Sequence, residues 1–276
     1  MIATVPAFLI HEPADVYHAQ ARENLSSHQL ADFRRCPLLY RRRQLGLIES
    51  KDSAAYLVGR AAHTLVLEGR DRFDAEYVVG GPVNEKTGKP YGANTKAFTE
   101  FREQAEQAGK DVLTDDQAQQ VERMAASVAD HERAQRLLAA GVAEGVVRTV
   151  YLDLPCQIRI DWLSLAWGCE GIVDLKTCDD LDWFEADARR FGYAHQLAFY
   201  RSVLATAAEL TAIGIPIRII AVEKKEPYRC GVWRVGDNAL AIAQQDNEQA
   251  IERLKRCMAT DVWPTGYEDI RTLEVA

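Results

Sequence analysis

The spacing of the apolar residues changes near residue 145, and this change constrains the fold more than any other feature of the sequence. From that point, residues 145–154, 156–167 and 169–177 alternate in polarity and contain many β-branched residues, which is typical of β-strands. A long helical segment follows at 182–210, and then come two further strands and a closing helix, at 215–224, 228–236 and 238–259. The predicted order β-β-β-α-β-β-α indicates an α/β fold.

The N-terminal half is predicted to be mainly helical. Residues 1–24 look irregular, and 80–94 form a loop rich in glycine, proline and asparagine. Pro37 is expected to break or kink the first helix, Gly69 to end the second, and Thr114 with Gln117 to cap the fourth as a capping box. The four helices are expected over residues 26–44, 53–69, 95–109 and 115–140.

Composition and charge describe an ordinary globular protein. Of its 276 residues, 47% are hydrophobic and 27% are charged, and no apolar run reaches the roughly 18 residues that span a membrane. Because the N-terminus also lacks the features of a signal peptide, we expect a cytoplasmic protein without a membrane partner. The net charge of −8 argues against nonspecific coating of nucleic acid. Residues 33–46, however, contain five arginines and no acid.

The strand at 169–177 carries an aspartate and a lysine inside an apolar run. In a strand, side chains at i and i+2 share a face, so Ile172, Asp174 and Lys176 face one way, while Val173, Leu175 and Thr177 face the other. Arg159 and Asp161 share a face of the preceding strand in the same manner. If the two strands are neighbours, Asp161 can approach Asp174.

Two adjacent carboxylates repel each other, and a divalent cation relieves that repulsion. Oxygen ligands favour Mg²⁺ or Mn²⁺, and a lysine on the same face can orient a water molecule or neutralise a phosphate. This set is suited to metal-assisted phosphodiester hydrolysis. The alternative is an ordinary salt bridge between Asp174 and Lys176 on an exposed strand.

The order of these motifs resembles the PD-(D/E)xK nuclease superfamily, and within it the exodeoxyribonuclease VIII (RecE)-like exonucleases of phages and prophages. The resemblance covers about residues 15–265 and is carried by these segments, in order: "SSHQLADFRRCPLLYRRRQLG", "VGRAAHTLVLEG", "IRIDWL", "IVDLKT", "FGYAHQLAFY" and "AVEKKEPY". It implies an αβββαβ core, with a central mixed sheet flanked by helices, and a helical N-terminal half. It also implies one nuclease domain over 1–276, with a helical part at 1–140 and a β-rich catalytic core with its closing helix at 141–276.

The resemblance also assigns roles at the site. Asp161 and Asp174 would bind Mg²⁺ or Mn²⁺, joined by the main-chain carbonyl of Leu175, and Lys176 would be the catalytic lysine. His63 would approach the metal from its helix, and Glu144 fits the early acidic residue of the family. Each has an open alternative, since His63 can be a hydrogen-bonded histidine of a packed helix and the alignment around Glu144 is loose.

Tyr193, Gln196 and Tyr200 lie at i, i+3 and i+7, on one face of a helix. Gln196 would assist catalysis and the two tyrosines would contact DNA, unless this face is a packing stripe. The arginines of the N-terminal segment would bind phosphates, or alternatively would solvate a helix surface. They are Arg34, Arg35, Arg41, Arg42 and Arg43.

The cysteines favour free thiols over a cofactor. The segment "CPLLY" at 36–40 resembles the first cysteine segment of iron–sulfur nucleases, but only Cys230 and Cys257 lie near the C-terminus, and they are far apart in sequence. We therefore expect no iron–sulfur cluster. The expected activity is a metal-dependent DNA exonuclease that digests linear duplex DNA from its ends, 5′→3′. Its expected partners are a single-strand annealing protein and further copies of itself in a ring. The alternatives are a structure-specific or restriction-type endonuclease on the same core and a catalytically silent DNA-binding protein.

Overall fold

The computed structural model describes residues 7–48, 54–88, 90–92 and 94–273. Its α-helices are α1 Ala14–Ala19, α2 Ser27–Arg35, α3 Pro37–Gln44, α4 Ala54–His63, α5 Arg70–Glu76, α6 Lys96–Gln107, α7 Asp115–Asp130, α8 Glu132–Leu138, α9 Phe184–Arg190, α10 Tyr193–Ala207 and α11 Asp237–Thr260. Among these described residues, no helix is both long enough and apolar enough to cross a membrane.

The strands form two sheets of very different size. β1 Tyr77–Val79 and β2 Asp111–Leu113 make a small parallel pair that the sequence did not reveal. The main sheet has five strands in the order β3-β4-β5-β6-β7. They are β3 Gly141–Tyr151, β4 Leu154–Ser164, β5 Gly171–Cys178, β6 Ile217–Glu223 and β7 Cys230–Arg234. Because β5 and β6 are parallel while the other neighbours are antiparallel, the sheet is mixed, as predicted.

Helices cover both faces of the main sheet. On one face, α2, α3, α10 and α11 pack through residues such as Phe33, Phe199 and Leu254 against the side of β6 that carries Ile219. On the other face, α4, α5, α7 and α8 pack against Val173 and its neighbours. Burial of a large apolar side chain stabilises the fold by about 1.5–3 kcal/mol, so these two cores hold the sheet between them.

Local sequence signals explain several helix ends. Ser26 and Gln29 form a capping box at the start of α2. Cys36 is extended, and α3 then begins at Pro37, where the missing N–H costs no helical hydrogen bond. The predicted break at Pro37 is therefore confirmed. Thr114 and Gln117 form the predicted capping box of α7.

Two predicted helices are interrupted, and those predictions were wrong in length. The helix expected over 182–210 is broken at Gly192 into α9 and α10. The φ of Gly192, +70°, lies in the left-handed region, through which a helix cannot continue. The helix expected over 115–140 stops at His131, whose side chain accepts a hydrogen bond from the Ala134 amide and caps α8.

The segment 1–24, expected to be irregular, contains α1 and a short 3₁₀ turn at Gln20–Arg22. Residues 1–6 of that segment lie outside the described residues, as do residue 53 of the predicted second helix and residues 89 and 93 of the predicted loop.

Candidate active site

The centre of the site is a fork between β4 and β5. These strands pair only at Trp162↔Val173, Leu163↔Ile172 and Ser164↔Gly171, next to their connecting turn. One step further, where the same register would set Asp161 opposite Asp174, they part, and each remains paired only with its other neighbour. We call this opening, lined by Asp161, Asp174 and Lys176, the fork.

The side chain of Asp161 links β4 to β5 at the fork. Its Oδ2 accepts a hydrogen bond of 2.8 Å from the backbone N–H of Leu175, a donor that finds no backbone partner on β4. The carboxylate therefore replaces part of the missing strand pairing. Burial raises the pKa of Asp161, and attraction to Lys176 and the Leu175 hydrogen bond oppose that rise.

Asp174 and Lys176 form a close ion pair on the α10 face of β5, as the alternation predicted. Lys176 Nζ lies 2.6 Å from Asp174 Oδ2, and the Asp174 side chain is only 1% exposed. Apart from this ion pair, its two oxygens accept no hydrogen bond from a described residue. Burial raises the pKa of Asp174 to about 6, although Lys176 acts to lower it. Burial lowers the pKa of Lys176, but Asp174 and Asp161 outweigh this effect and raise it. The pair can be read as a salt bridge or as a ligand with its lysine.

A second cluster surrounds Asp161 on β4 and includes side chains from α4 and β3. Ligand atoms of His63, Glu144 and Asp161 all lie within 4.8 Å of one another, and His63 Nδ1 is 3.6 Å from Asp161 Oδ2. His63 is the last residue of α4, and the chain continues directly into a π-helical turn, Thr64–Glu68, a feature frequent at functional sites. Asp174 does not belong to this group of three, although the sequence predicted it as a ligand beside Asp161.

Glu144 reaches the cluster through an unusual backbone conformation. It lies opposite Asp161, between the paired positions Ala143↔Trp162 and Gly145↔Ile160, yet the ladder skips it. Its φ of +52° is left-handed, which costs a residue with a side chain about 1–2 kcal/mol. Strain of this kind persists where the surrounding structure enforces it, and it is common at functional sites.

The charges in the cluster suit a cation. Burial, and then Asp161, raise the pKa of Glu144 to about 8. Burial, and then Lys176, lower the pKa of His63 to about 4, so its imidazole is neutral at pH 7, as a metal ligand must be. The cluster thus combines two crowded carboxylates, which resist ionisation, with one neutral imidazole. This set of ligands suits a divalent cation, which would favour the charged form of both acids.

Arg159 is a site residue that the sequence did not single out. Its Nε lies 2.9 Å from Glu144 Oε2, and both side chains are mostly buried. The signal was present, because Arg159 precedes Asp161 by two residues and shares its face. Nothing in the sequence, however, showed that β3 brings Glu144 to that guanidinium.

The three predicted α10 residues approach the fork to different degrees. Lys176 Nζ lies 5.1 Å from the centre of the Tyr193 ring. Gln196 donates a 3.4 Å hydrogen bond to the Tyr200 hydroxyl. Tyr200 is only 5% exposed, and burial, followed by the charge of Asp161, raises the pKa of its hydroxyl. Tyr193 is therefore the more accessible tyrosine for DNA, and the roles of all three remain predictions.

Some of the predicted DNA-binding arginines already have partners within the chain. Arg34 donates to the side chain of Asn247 on α11. Arg43 pairs with Asp32 at 2.5 Å. Arg41 pairs with Asp261 at 3.5 Å, and its guanidinium lies 5.1 Å from the Trp263 ring centre. The other two, Arg35 and Arg42, are exposed. Three of the five arginines therefore have partners within the described chain, and the other two are exposed.

The fold is shared with a solved structure. The crystal structure of a "Putative exonuclease" from Eubacterium rectale superposes with a TM-score of 0.63, over 97% of both chains, at 18% sequence identity. The likeness shows that the two chains share an α/β architecture, here a five-stranded mixed sheet flanked by helices. No curated protein sequence gives a significant match.

The family model of a PDDEXK-like domain of unknown function (DUF3799) matches residues 26–274. This range takes in α2 and α3, both sides of the fork and the closing helix α11. The chain therefore belongs to the family of PDDEXK-like domains of unknown function.

Proposed function

We propose that the chain is a metal-dependent DNA exonuclease that hydrolyses phosphodiester bonds of linear duplex DNA, 5′→3′. The observation that carries the proposal is the meeting of His63, Glu144 and Asp161 in one cluster, with the buried Asp174–Lys176 pair across the same fork. Membership of a PDDEXK-like family supports a nuclease, and so does the fold shared with a "Putative exonuclease".

The residues of the fork divide into those that would hold a metal and those that would act on the phosphate. His63, Glu144 and Asp161 would hold Mg²⁺ or Mn²⁺, and Asp174 and the carbonyl of Leu175 would complete the site from β5. Such an ion, when bound, lowers the pKa of a water molecule and stabilises charge on the phosphoryl oxygens.

Lys176 would supply a positive charge that does not move during the reaction. Its ammonium is held at 2.6 Å by Asp174 and stands over the Tyr193 ring. A fixed charge of this kind stabilises negative charge that develops on the scissile phosphate without reorganisation, which is worth several kcal/mol in a site that excludes water. Lys176 can also orient the attacking water molecule by donating a hydrogen bond to it.

The resemblance supports further parts of the proposal. The enzyme would act with a single-strand annealing protein in phage-type recombination and would assemble into a ring around its substrate. A net charge of −8 gives little general attraction to DNA, so a ring would hold the substrate by topology.

The test compares linear duplex DNA with a covalently closed circle. With Mg²⁺, the wild-type protein should release nucleotides from a 5′-labelled linear duplex, leave the closed circle intact and stop in excess EDTA. A cut circle would instead favour an endonuclease on the same core. Failure to cleave any DNA with Mg²⁺ or Mn²⁺ would refute the nuclease assignment.

A further inference from the structure

A row of aromatic rings leads from Lys176 to the protein surface. The Tyr193 ring, which lies against Lys176, stacks on Phe191 with 6.0 Å between ring centres and 26° between ring planes. Tyr193 also lies 6.1 Å from the buried Phe184, which in turn contacts Trp233 at 4.6 Å, measured between ring centres. The row is therefore anchored in the core and ends in solvent at Phe191, which is 59% exposed.

The backbone fixes Phe191 on a corner between two helices. Phe191 is the C-cap of α9, and its N–H donates a 2.8 Å hydrogen bond to the carbonyl of Asp187 within that helix. Gly192 follows with a φ of +70°, and α10 begins at Tyr193. The ring is therefore displayed by a turn held at both ends, and such a display lowers the entropy lost when a ligand binds.

Arginines lie near Phe191, together with one acid, Asp187, whose charge adds to the effect of burial in raising the pKa of Tyr193. The guanidinium of Arg190 lies 5.2 Å from the Phe191 ring centre. Arg189 and Arg190 are both exposed, and neither forms an ion pair with any residue that the structure describes. Arg34 also lies close, because a Cβ added to Gly192 would sit 3.8 Å from its Nη2. A lone exposed phenylalanine carries little information, but one stacked toward a catalytic lysine and flanked by unpaired arginines does.

We propose that Phe191 is a stacking platform for a nucleobase of the DNA strand whose phosphate lies at Lys176. This inference rests on the proposed nuclease function. Every base offers a π-face, and proteins that hold single strands combine such aromatic faces with a basic track for the backbone. The two ring steps from Lys176 to Phe191, 5.1 Å and 6.0 Å, span at most about three nucleotides at the rise of about 3.4 Å per nucleotide of a strand. A base that has left the duplex would thus stack on Phe191 within about three nucleotides of the scissile bond.

A fluorescent base tests the platform directly. Duplexes carry 2-aminopurine at the first, second, third or fourth nucleotide from one end, or in the middle as an internal reference, and bind the full chain in EDTA so that nothing is cleaved. We expect the wild-type protein to quench one of the end positions more strongly than the internal one. Phe191→Ala should abolish this difference and weaken binding of DNA ends about tenfold, the low-to-middle range for loss of one stacked base. Phe191→Trp should retain both properties.

The matched control is Trp167→Ala. Trp167 is 95% exposed on the turn between β4 and β5 and stacks on no described ring, so its loss should leave quenching and affinity unchanged. Phe191→Ala with wild-type quenching and affinity would overturn the platform. A second result would also overturn the platform: wild-type protein shows no end-specific quenching, and Phe191→Ala changes the oligomeric state measured by sedimentation. Phe191 would then belong to an interface between proteins.

Failure of the platform and failure of the nuclease function give different results. Wild-type protein that digests linear DNA but shows no dependence on Phe191 refutes the platform alone. Wild-type protein that neither binds nor cleaves DNA refutes both.

Discussion

Lys176→Met should make the stability of the metal-free protein depend more steeply on pH. The substitution keeps an apolar side chain of similar length but removes the ammonium that lies 2.6 Å from Asp174. Asp174 is 1% exposed and, apart from its contact with Lys176, accepts no hydrogen bond from a described residue, so the substitution removes its main attraction. A buried carboxylate left without its cation takes up a proton instead.

The magnitude follows from the pKa of Asp174. It is about 6 in the folded wild-type protein and near 3.9 in an unfolded chain, so the folded state binds the extra proton only below about pH 6. Without Lys176 the pKa of Asp174 in the folded state rises, and the folded state keeps that proton at higher pH. Stability then falls by a further ~1.4 kcal/mol per pH unit above pH 6, and by up to about 3 kcal/mol at pH 8. At pH 5 Asp174 is protonated in both proteins, so little difference should remain.

Urea unfolding in EDTA at pH 5, 6, 7 and 8 measures this effect. The double variant Asp174→Asn/Lys176→Met should lose the part of the additional pH dependence that comes from Asp174, and any remainder reports Asp161, whose pKa Lys176 also acts to lower. Lys224→Met is the matched surface control, since Lys224 pairs at 2.8 Å with Asp179, which is 83% exposed, and it should cost less than about 1 kcal/mol at every pH. Stability curves for Lys176→Met and wild-type protein that run parallel from pH 5 to 8 would refute the reasoning.

Three further predictions address the cluster, an acid-sensitive pair and the basic helix. Because the pKa of Glu144 is about 8, calorimetric Mn²⁺ affinity should rise about tenfold from pH 6 to pH 7 and level off above pH 8, and Glu144→Gln should flatten this rise. Hydrogen bonds from Arg229 lower the pKa of Glu223 to about 2. The stability that the Glu223 carboxylate contributes to the fold is therefore complete above about pH 4.3 and lost as the pH falls toward 2. The melting temperature of Glu223→Gln should lack this decrease at low pH. Replacing Arg41, Arg42 and Arg43 of α3 with alanine should reduce the slope of log binding constant against log salt concentration by about one per lost phosphate contact. An unchanged slope would favour surface solvation.

The sequence predicted the strands well because their period of two is visible locally. Asp174 and Lys176 were placed correctly on one face of β5, with Val173 and Leu175 packed on the other. The bend at Gly192 was missed because apolar residues continue at helical spacing on both sides, and only the left-handed backbone reveals the break.

The site was less predictable where it depends on contacts between distant segments. The spacing of Asp161 and Asp174 was informative only once the strands were assumed to be neighbours. That the strands part at these residues, so that the Asp161 side chain takes the Leu175 N–H, depends on the sheet register. The same holds for Glu144, whose left-handed backbone and contact with Arg159 have no local signature.

The most direct test of the central claim is the single-turnover rate of phosphodiester hydrolysis with Mg²⁺, compared between wild-type protein and Lys176→Met. The comparison is made on end-labelled linear duplex at saturating enzyme, at pH 7, with circular dichroism verifying that both proteins are folded. We predict a rate reduced by at least about a hundredfold, since removal of one preorganised charge that stabilises a transition state costs about 3–4 kcal/mol or more. A variant that cleaves within tenfold of the wild-type rate would show that the fork is not the active site.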